Sequence, residues 1–344
     1  MKIGINGNEA NVAHRVGVNQ YAFEILRHWP EDDVTVYLSH PPLSDMPKLH
    51  YEVFGPRKMW TLTGLQKKLL LDPPDVLFTP THYAPLLPTR PSVISIMDLA
   101  FEKFPAYFKT SDLCQLKYWT RVSVAQAAKI ITISESTKRD ICEIYKVPAE
   151  KIVVTYPGFD QKRFNSQAKP NKKYGDYFLY LGTLQPRKNL ERLIEAYRQL
   201  KTRSKLVIAG MINEGRGGWM NENIRASQNI ILTGYLPDED LPGLYAGARA
   251  FVLPSLYEGF GIPAIEAMAC GTPVVVSRVS SLPEICGEAA FYIDDPYSIE
   301  SIQSALTKVD KSKAKLGLEW IKRYNWDNTV RQTLEVIKSV YVQR

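Results

Sequence analysis

The sequence has little of what staples, ligates or anchors a protein. Its 344 residues include only four cysteines, Cys114, Cys142, Cys270 and Cys286, and none has CxxC spacing. That argues against a disulfide framework and a zinc site, and suits reduced thiols in a cytosolic protein. The five histidines form no HxxxH pair. The single DxD, Asp238-Glu239-Asp240, lies between two Leu-Pro steps and reads as the start of a helix. No metal site is therefore expected. No apolar run reaches the roughly 18 residues that suggest a membrane-spanning helix. The opening stretch, Met1–Ala10, begins a strand rather than a signal peptide. No GxGxxG follows any candidate strand, which argues against a dinucleotide-dependent dehydrogenase. Fixed-period repeats and low-complexity tracts are missing as well.

What is present is ordinary for a folded α/β protein. Hydrophobic residues make up 45% and charged residues 23%. The length exceeds one ordinary core, so two domains are expected. The net charge is +7, spread as +4 over residues 1–170 and +3 beyond. With no basic tail, the excess reads as a mixed solvated surface and not as a nucleic-acid patch. A mild positive field still suits phosphate-bearing substrates or an anionic membrane surface.

Short β-rich runs alternate with amphipathic stretches. Strands are expected at Lys2–Asn6, Val34–Leu38, Asp75–Thr79, Ser92–Met97, Lys129–Ile133 and Ile152–Tyr156, with helices near 17–29, 62–71, 111–127 and 135–146. Such alternation predicts a parallel sheet covered by helices on both faces. The pattern relaxes over the polar stretch 161–176, read as an interdomain linker. It then restarts, with strands at Tyr177–Gly182, Lys205–Gly210, Asn229–Thr233, Ala250–Pro254 and Pro273–Ser277 and helices near 189–201, 238–248, 263–270, 298–308 and 327–342. The expected division is 1–170, 171–325 and a terminal helix over 326–344.

Two motifs carry chemistry. In Glu258-Gly-Phe-Gly-Ile-Pro-Ala-Ile-Glu266, two carboxylates flank a glycine-rich bend between a short strand and a helix. Gly259 and Gly261 permit positive φ and close ligand approach. The N–H groups of Gly259, Phe260, Gly261 and Ile262 lie beside a helix N-terminus, a favourable place for phosphate. Carboxylates for sugar hydroxyls beside amides for phosphate describe a nucleotide-sugar site. The bland alternative is a capping carboxylate and an exposed helix residue. The second motif is Gly182-Thr-Leu-Gln-Pro-Arg187-Lys188-Asn189, with Asn189 as N-cap of the next helix. Cations at a helix N-terminus are unfavourable unless an anion is present. Arg187 and Lys188 therefore read either as a diphosphate clamp or as solvated charges.

These residues, with Leu232-Thr-Gly234-Tyr-Leu and Ala269-Cys-Gly271-Thr-Pro273, resemble the retaining family 4 glycosyltransferases, also called group 1. The resemblance covers nearly the whole chain and is strongest over 177–290. It implies the GT-B fold, two Rossmann-like doubly wound domains facing a central cleft, with the terminal helix crossing back to the first domain. It further implies that Arg187 and Lys188 hold the diphosphate, Glu258 contacts the transferred sugar and Glu266 the donor ribose. The backbone at Tyr235–Leu236 would meet the base, and Gly17 would lie near the phosphates and acceptor. Asp98 is the acceptor-side candidate, with a turn cap as its equal alternative. The chain departs from the family pattern at Thr183, Met97 and Pro157, where arginine, histidine and asparagine are common.

The expected activity is metal-independent, retaining transfer of a mannose- or glucose-type hexose. A nucleotide-diphosphate sugar would serve as co-substrate and a glycan or lipid-linked hydroxyl as acceptor. No cofactor is expected, and the location would be cytoplasmic or at the inner membrane surface. A nucleotide-sugar epimerase and a catalytically silent nucleotide-sugar-binding subunit are the alternatives. Transfer of sugar to an acceptor distinguishes them.

Overall fold

The computed structural model describes residues 1–30, 34–87, 89–210 and 226–342. It divides into two compact units. The first comprises 1–102, 110–158 and the terminal segment from Asn325, and the second comprises 103–109 and 159–324.

The first unit holds a parallel sheet of β1 (Ile3–Asn6), β2 (Val34–Leu38), β3 (His50–Val53), β4 (Val76–Thr79), β5 (Ser92–Ile96), β6 (Lys129–Thr132) and β7 (Ile152–Val154), in the order 3-2-1-4-5-6-7. The pairings put Ile3 beside both Val34 and Val76. Side chains on β1, β4 and β5 are buried throughout, as expected of a parallel sheet covered on both faces. Strand β3 escapes the sequence pattern because it is an edge strand whose four residues keep partial or full exposure.

The second unit repeats the plan with β8 (Tyr177–Leu181), β9 (Lys205–Ala209), β10 (Ile230–Gly234), β11 (Ala250–Leu253), β12 (Val274–Ser277) and β13 (Ala290–Ile293), in the order 10-9-8-11-12-13. Its core is built from Leu193, Ile194 and Tyr197 of one helix, Ile302 and Leu306 of another, and the strand residues Phe178, Ile208 and Val252. Strand β13, a half-exposed edge strand, and the short helix Leu282–Cys286 were not expected, the helix being too short for a period to show.

Two boundary expectations need correction. The polar stretch 161–176 is no free linker. Phe164 is buried edge-on to Tyr245, and Asn171 N–H donates to the Gly243 carbonyl at 2.8 Å. The second unit therefore begins at Phe159, before the boundary expected at 170. A few anchoring residues suffice to dock a polar segment, and periodicity does not detect them.

The terminal helix, Trp326–Val342, lies on the first unit, against helix Val18–Arg27 and β4, β5 and β6. Trp326 meets Tyr21 edge-on, and Thr329 donates to the Tyr156 carbonyl at 2.6 Å. Its buried face includes Trp326, Val330 and Ile337 of the apolar residues spaced along one side, and is wider than that spacing alone marks out. Thr329, Thr333, Val336 and Val340 are buried, whereas Tyr341 is exposed. Two threonines carry this face, and an apolar pattern does not count them. Residues 343–344 of the expected segment lie outside the described residues.

Candidate active site

In the second unit the strand order reverses between β8 and β11. Loops leaving such neighbours turn apart and open a crevice at the carboxyl edge of the sheet. The loop after β8 carries Arg187 and Lys188, and the loop after β11 carries Glu258. The topology thus joins residues 70 positions apart: Lys188 Nζ lies 2.7 and 2.8 Å from the two Glu258 carboxylate oxygens. Arg187 Nη1 donates to the Tyr257 carbonyl at 3.1 Å and lies 3.7 Å from Glu258 Oε2. The Lys188 and Glu258 side chains are only 16% and 9% exposed. These are not solvated surface charges.

The Glu258 carboxylate has further support. Ser255 Oγ donates to Oε1 at 2.6 Å, and the Glu258 N–H donates to Ser280 Oγ at 2.9 Å. Ser281 Oγ donates to the carbonyls of Glu258 and Phe260. Burial alone would push the Glu258 pKa up. The Lys188 and Arg187 charges and the hydrogen bonds from Lys188 and Ser255 outweigh it and hold the carboxyl below its ordinary range. Ser255, Ser280 and Ser281 were missed from sequence, since serine near a loop carries no specific signal.

Asn189 stands at the start of helix Leu190–Gln199 but makes no side-chain cap. Its Nδ2 instead donates to the Pro254 and Pro296 carbonyls, at 3.0 and 2.7 Å. The expected N-cap is thus a clamp between loops, and it fixes the β8 loop to the β11 loop. Arg187 and Lys188 occupy a 3₁₀ turn, Pro186–Lys188, ahead of the helix.

Glu266 occupies a separate environment, in the helix Ile262–Ala269 that follows the glycine bend. Tyr245 OH donates to Glu266 Oε2 at 3.0 Å. Burial raises the Glu266 pKa to about 7. The Tyr245 hydrogen bond and Arg163 oppose the shift, and Asp238 and Asp160 add to it. Among the described residues, Glu258 and Glu266 share no hydrogen-bond partner. The Glu266 helix is entered through Gly261 at φ 108°, where an added Cβ would lie 2.8 Å from Leu282 Cδ2. The conformation favours glycine there, and a Cβ would also press on the end of the Leu282 side chain. Gly259 and Phe260 are buried, Ile262 is half-buried, Tyr235 is exposed and Leu236 is half-buried.

Gly17 and Asp98 belong to the first unit. Gly17 is exposed at the start of helix Val18–Arg27, with φ 55°. Asp98 Oδ1 accepts from the Ala100 N–H at 2.9 Å, so it caps the turn into helix Ala100–Lys103. Next to it in charge terms is His82, beyond β4. Burial lowers its pKa to about 4, and Asp98 acts weakly in the opposite direction. Its Nε2 has no hydrogen-bond partner among the described residues. Among the same residues, no cluster of three or more His, Cys, Asp or Glu side chains could hold a metal.

Comparison with known proteins assigns the chain to a family. Residues 161–331 match the family described as Glycosyl transferases group 1, and residues 16–163 match Glycosyltransferase Family 4. O-antigen chain mannosyltransferase B of Escherichia coli is 32% identical over 310 residues, covering 84% of this chain and 79% of that protein. O-antigen chain mannosyltransferase RfbU of Salmonella typhimurium is 29% identical, covering 73% and 69%. Among solved structures, Anabaena HepE in complex with UDP and glucose superposes with a TM-score of 0.76 at 19% identity, covering 98% of this chain and 100% of that one. At that identity the likeness speaks for the fold alone. With two Rossmann-like parallel sheets and these matches over both halves, the chain belongs to the group 1 glycosyltransferases and is a transferase of the GT-B fold.

Proposed function

We propose that this glycosyltransferase moves a hexose of the mannose type from a nucleoside-diphosphate sugar to an acceptor hydroxyl, with retention, during synthesis of a polysaccharide or lipid-linked glycan. The observation that carries the reading is the nearly buried Lys188–Arg187–Glu258 group at the strand reversal of the second unit. Two cations beside a helix N-terminus suit a diphosphate, and a carboxylate locked by them suits sugar hydroxyls. The mannose assignment draws on the named activities of the Escherichia coli and Salmonella relatives. The nucleotide draws on the UDP bound to HepE as much as on the site.

In this reading the C1–O bond to the diphosphate breaks while the acceptor oxygen bonds to C1 on the same face. The acceptor proton passes to a departing diphosphate oxygen. Lys188 and Arg187 stabilise the growing negative charge, a role a metal would otherwise fill. Glu258 holds those cations in place, so little reorganisation is needed when the donor enters.

The test is a thermal-shift screen of nucleotide sugars followed by transfer assays in excess EDTA, with product stereochemistry read by NMR. The expected result is stabilisation by one donor class, transfer without added metal and retained configuration. An inverted product, or activity abolished by chelator and restored by Mg²⁺ or Mn²⁺, would overturn the corresponding part. A nucleotide sugar epimerised at one centre, with no transfer, would indicate an epimerase instead.

A further inference from the structure

Tyr245 lies in helix Leu241–Gly247, which follows β10 and the loop with Tyr235 and Leu236. Its side chain is fully buried, with the ring edge-on to Phe164 and Phe251 at centroid distances of 5.9 and 5.5 Å. Its carbonyl accepts from Thr272 Oγ1 at 2.7 Å. Both ring and backbone are thus immobilised by packing.

A buried phenol needs a hydrogen-bond partner, and a backbone carbonyl is enough. Elsewhere in this unit that is what is found: Tyr177, Tyr197 and Tyr324 donate to the carbonyls of Leu244, Ser204 and Ile285. Tyr245 donates instead to the Glu266 carboxylate, at 3.0 Å from Oε2. Glu266 itself is half-buried. Its other oxygen, Oε1, accepts from no described residue and is not sealed from solvent. A rigid donor therefore fixes one oxygen of the carboxylate and leaves the other available.

We propose that Tyr245 is a positioning residue for the donor: its hydroxyl pins Glu266 Oε2, so that Oε1 is presented to the ribose hydroxyls of a nucleoside diphosphate. This rests on the donor site proposed above, with Glu266 as its ribose contact. A long glutamate side chain would otherwise lose rotamer freedom on binding, and a contact fixed in advance spares that loss. Because Tyr245 sits on the helix that follows the Tyr235–Leu236 loop, the same bond also sets the ribose contact relative to that loop.

The bond favours the charged carboxylate. Arg163 acts in the same sense, and Asp238 and Asp160 oppose it. The Cys270 thiol, pushed up to about 12 by burial and then by Glu266, stays neutral. Burial and the Glu266 charge hold the Tyr245 pKa well above its ordinary value, so the phenol remains a donor throughout.

The test is calorimetric titration of the full chain with UDP, GDP and ADP from about pH 6 to about pH 9. Parent, Tyr245→Phe, Glu266→Gln and the double variant are compared with the nucleotide that the parent binds most tightly. Parental affinity should rise with pH as Glu266 ionises. In Tyr245→Phe that rise should move to higher pH, and affinity near pH 7 should fall about tenfold, as expected for one lost hydrogen bond to a charged group. Glu266→Gln should show no such rise, and adding Tyr245→Phe to it should change affinity by less than about twofold. Phenylalanine keeps the contacts to Phe164 and Phe251, so the variant should fold. A hydroxyl with a merely structural role would lower the melting temperature without moving the pH profile. The proposal is overturned if Tyr245→Phe keeps the parental affinity and profile, or if it weakens binding as much in the Glu266→Gln background. Glu266→Gln with a parental profile overturns it whatever the behaviour of Tyr245→Phe. A parent that binds none of the three nucleotides would overturn the donor reading and this inference together, whereas binding indifferent to Tyr245→Phe overturns this inference alone.

Discussion

At the residue scale the pairing of Lys188 with Glu258 has two separable consequences, one for stability and one for chemistry. Lys188→Ala leaves the nearly buried Glu258 carboxylate with only the Arg187 contact at 3.7 Å and the Ser255 hydrogen bond, and should cost roughly 3 kcal/mol, less to the extent that the residual exposure admits water. Removing both charges, as Lys188→Met with Glu258→Gln, should recover most of that stability. Transfer should not recover, because the proposed contact to the developing diphosphate charge contributes on the order of 2–4 kcal/mol to the barrier. Chemical denaturation and transfer rates on the two variants distinguish the effects. Wild-type turnover in the double variant would remove Lys188 from the chemistry.

Glu266 makes a pH-dependent prediction. Its folded pKa, about 7, lies above the ordinary carboxylate value of 4.5. The folded state therefore binds more protons than the unfolded state between these values, and the Glu266 contribution to stability declines as pH rises from 4.5 through 7. Melting temperatures of Glu266→Gln against the parent should accordingly be most favourable to the variant above pH 7 and converge near pH 4.5. If sugar hydroxyls donate to this carboxylate, they favour its charged form, so donor binding near pH 7 should release a proton. Calorimetry in buffers of different ionisation enthalpy measures that release. Binding with no proton exchange would place the donor elsewhere.

At the element scale the glycine bend is the sensitive joint. Gly261 begins its helix at positive φ, against Leu282. Gly261→Ala should destabilise by about 1–3 kcal/mol from backbone strain and overpacking. It should also shift Glu258 and Glu266 together, since one lies before the bend and the other after it. Loss of transfer out of proportion to loss of stability is the expected signature. Gly261→Ala with parental stability and rate would show that the bend tolerates a side chain. The same bend was legible in the sequence because Gly-x-Gly-x-Pro between a strand and a helix is a local signal. The edge strands β3 and β13 were not legible, because only their sheet neighbours identify them. Asn189 stands at the N-cap position as expected, but its side-chain bonds were not legible, for a related reason. Local rules see a cap, and only the folded unit brings Pro254 and Pro296 within its reach.

At the scale of the whole molecule the chain path departs from chain order. The final helix belongs to the first unit, and its entry is tight: a Cβ on Gly158 would fall 2.3 Å from the Trp326 nitrogen. Truncation after Tyr324 should therefore uncover β4, β5 and β6 and lower the melting of the first unit, while a nucleoside diphosphate still raises that of the second. Differential scanning calorimetry with and without the nucleotide reads both. A truncated chain with a parental melting profile would mean that the helix adds nothing to the first unit.

Strand-by-strand alternation, the glycine bend and the Arg187-Lys188 loop are local in sequence. Side-chain period and turn chemistry act over a few residues, so the parallel α/β class and the candidate residues could be read without coordinates. The pairing of Lys188 with Glu258, the Tyr245 contact that accompanies the raised Glu266 pKa and the start of the second unit at Phe159 could not. Each depends on segments far apart in the chain, and burial, the largest influence on the Glu266 pKa, has no local signature. Tertiary structure decided them because desolvation and ion pairing are properties of what packs around a group, and the order of strands in a sheet settles what that is.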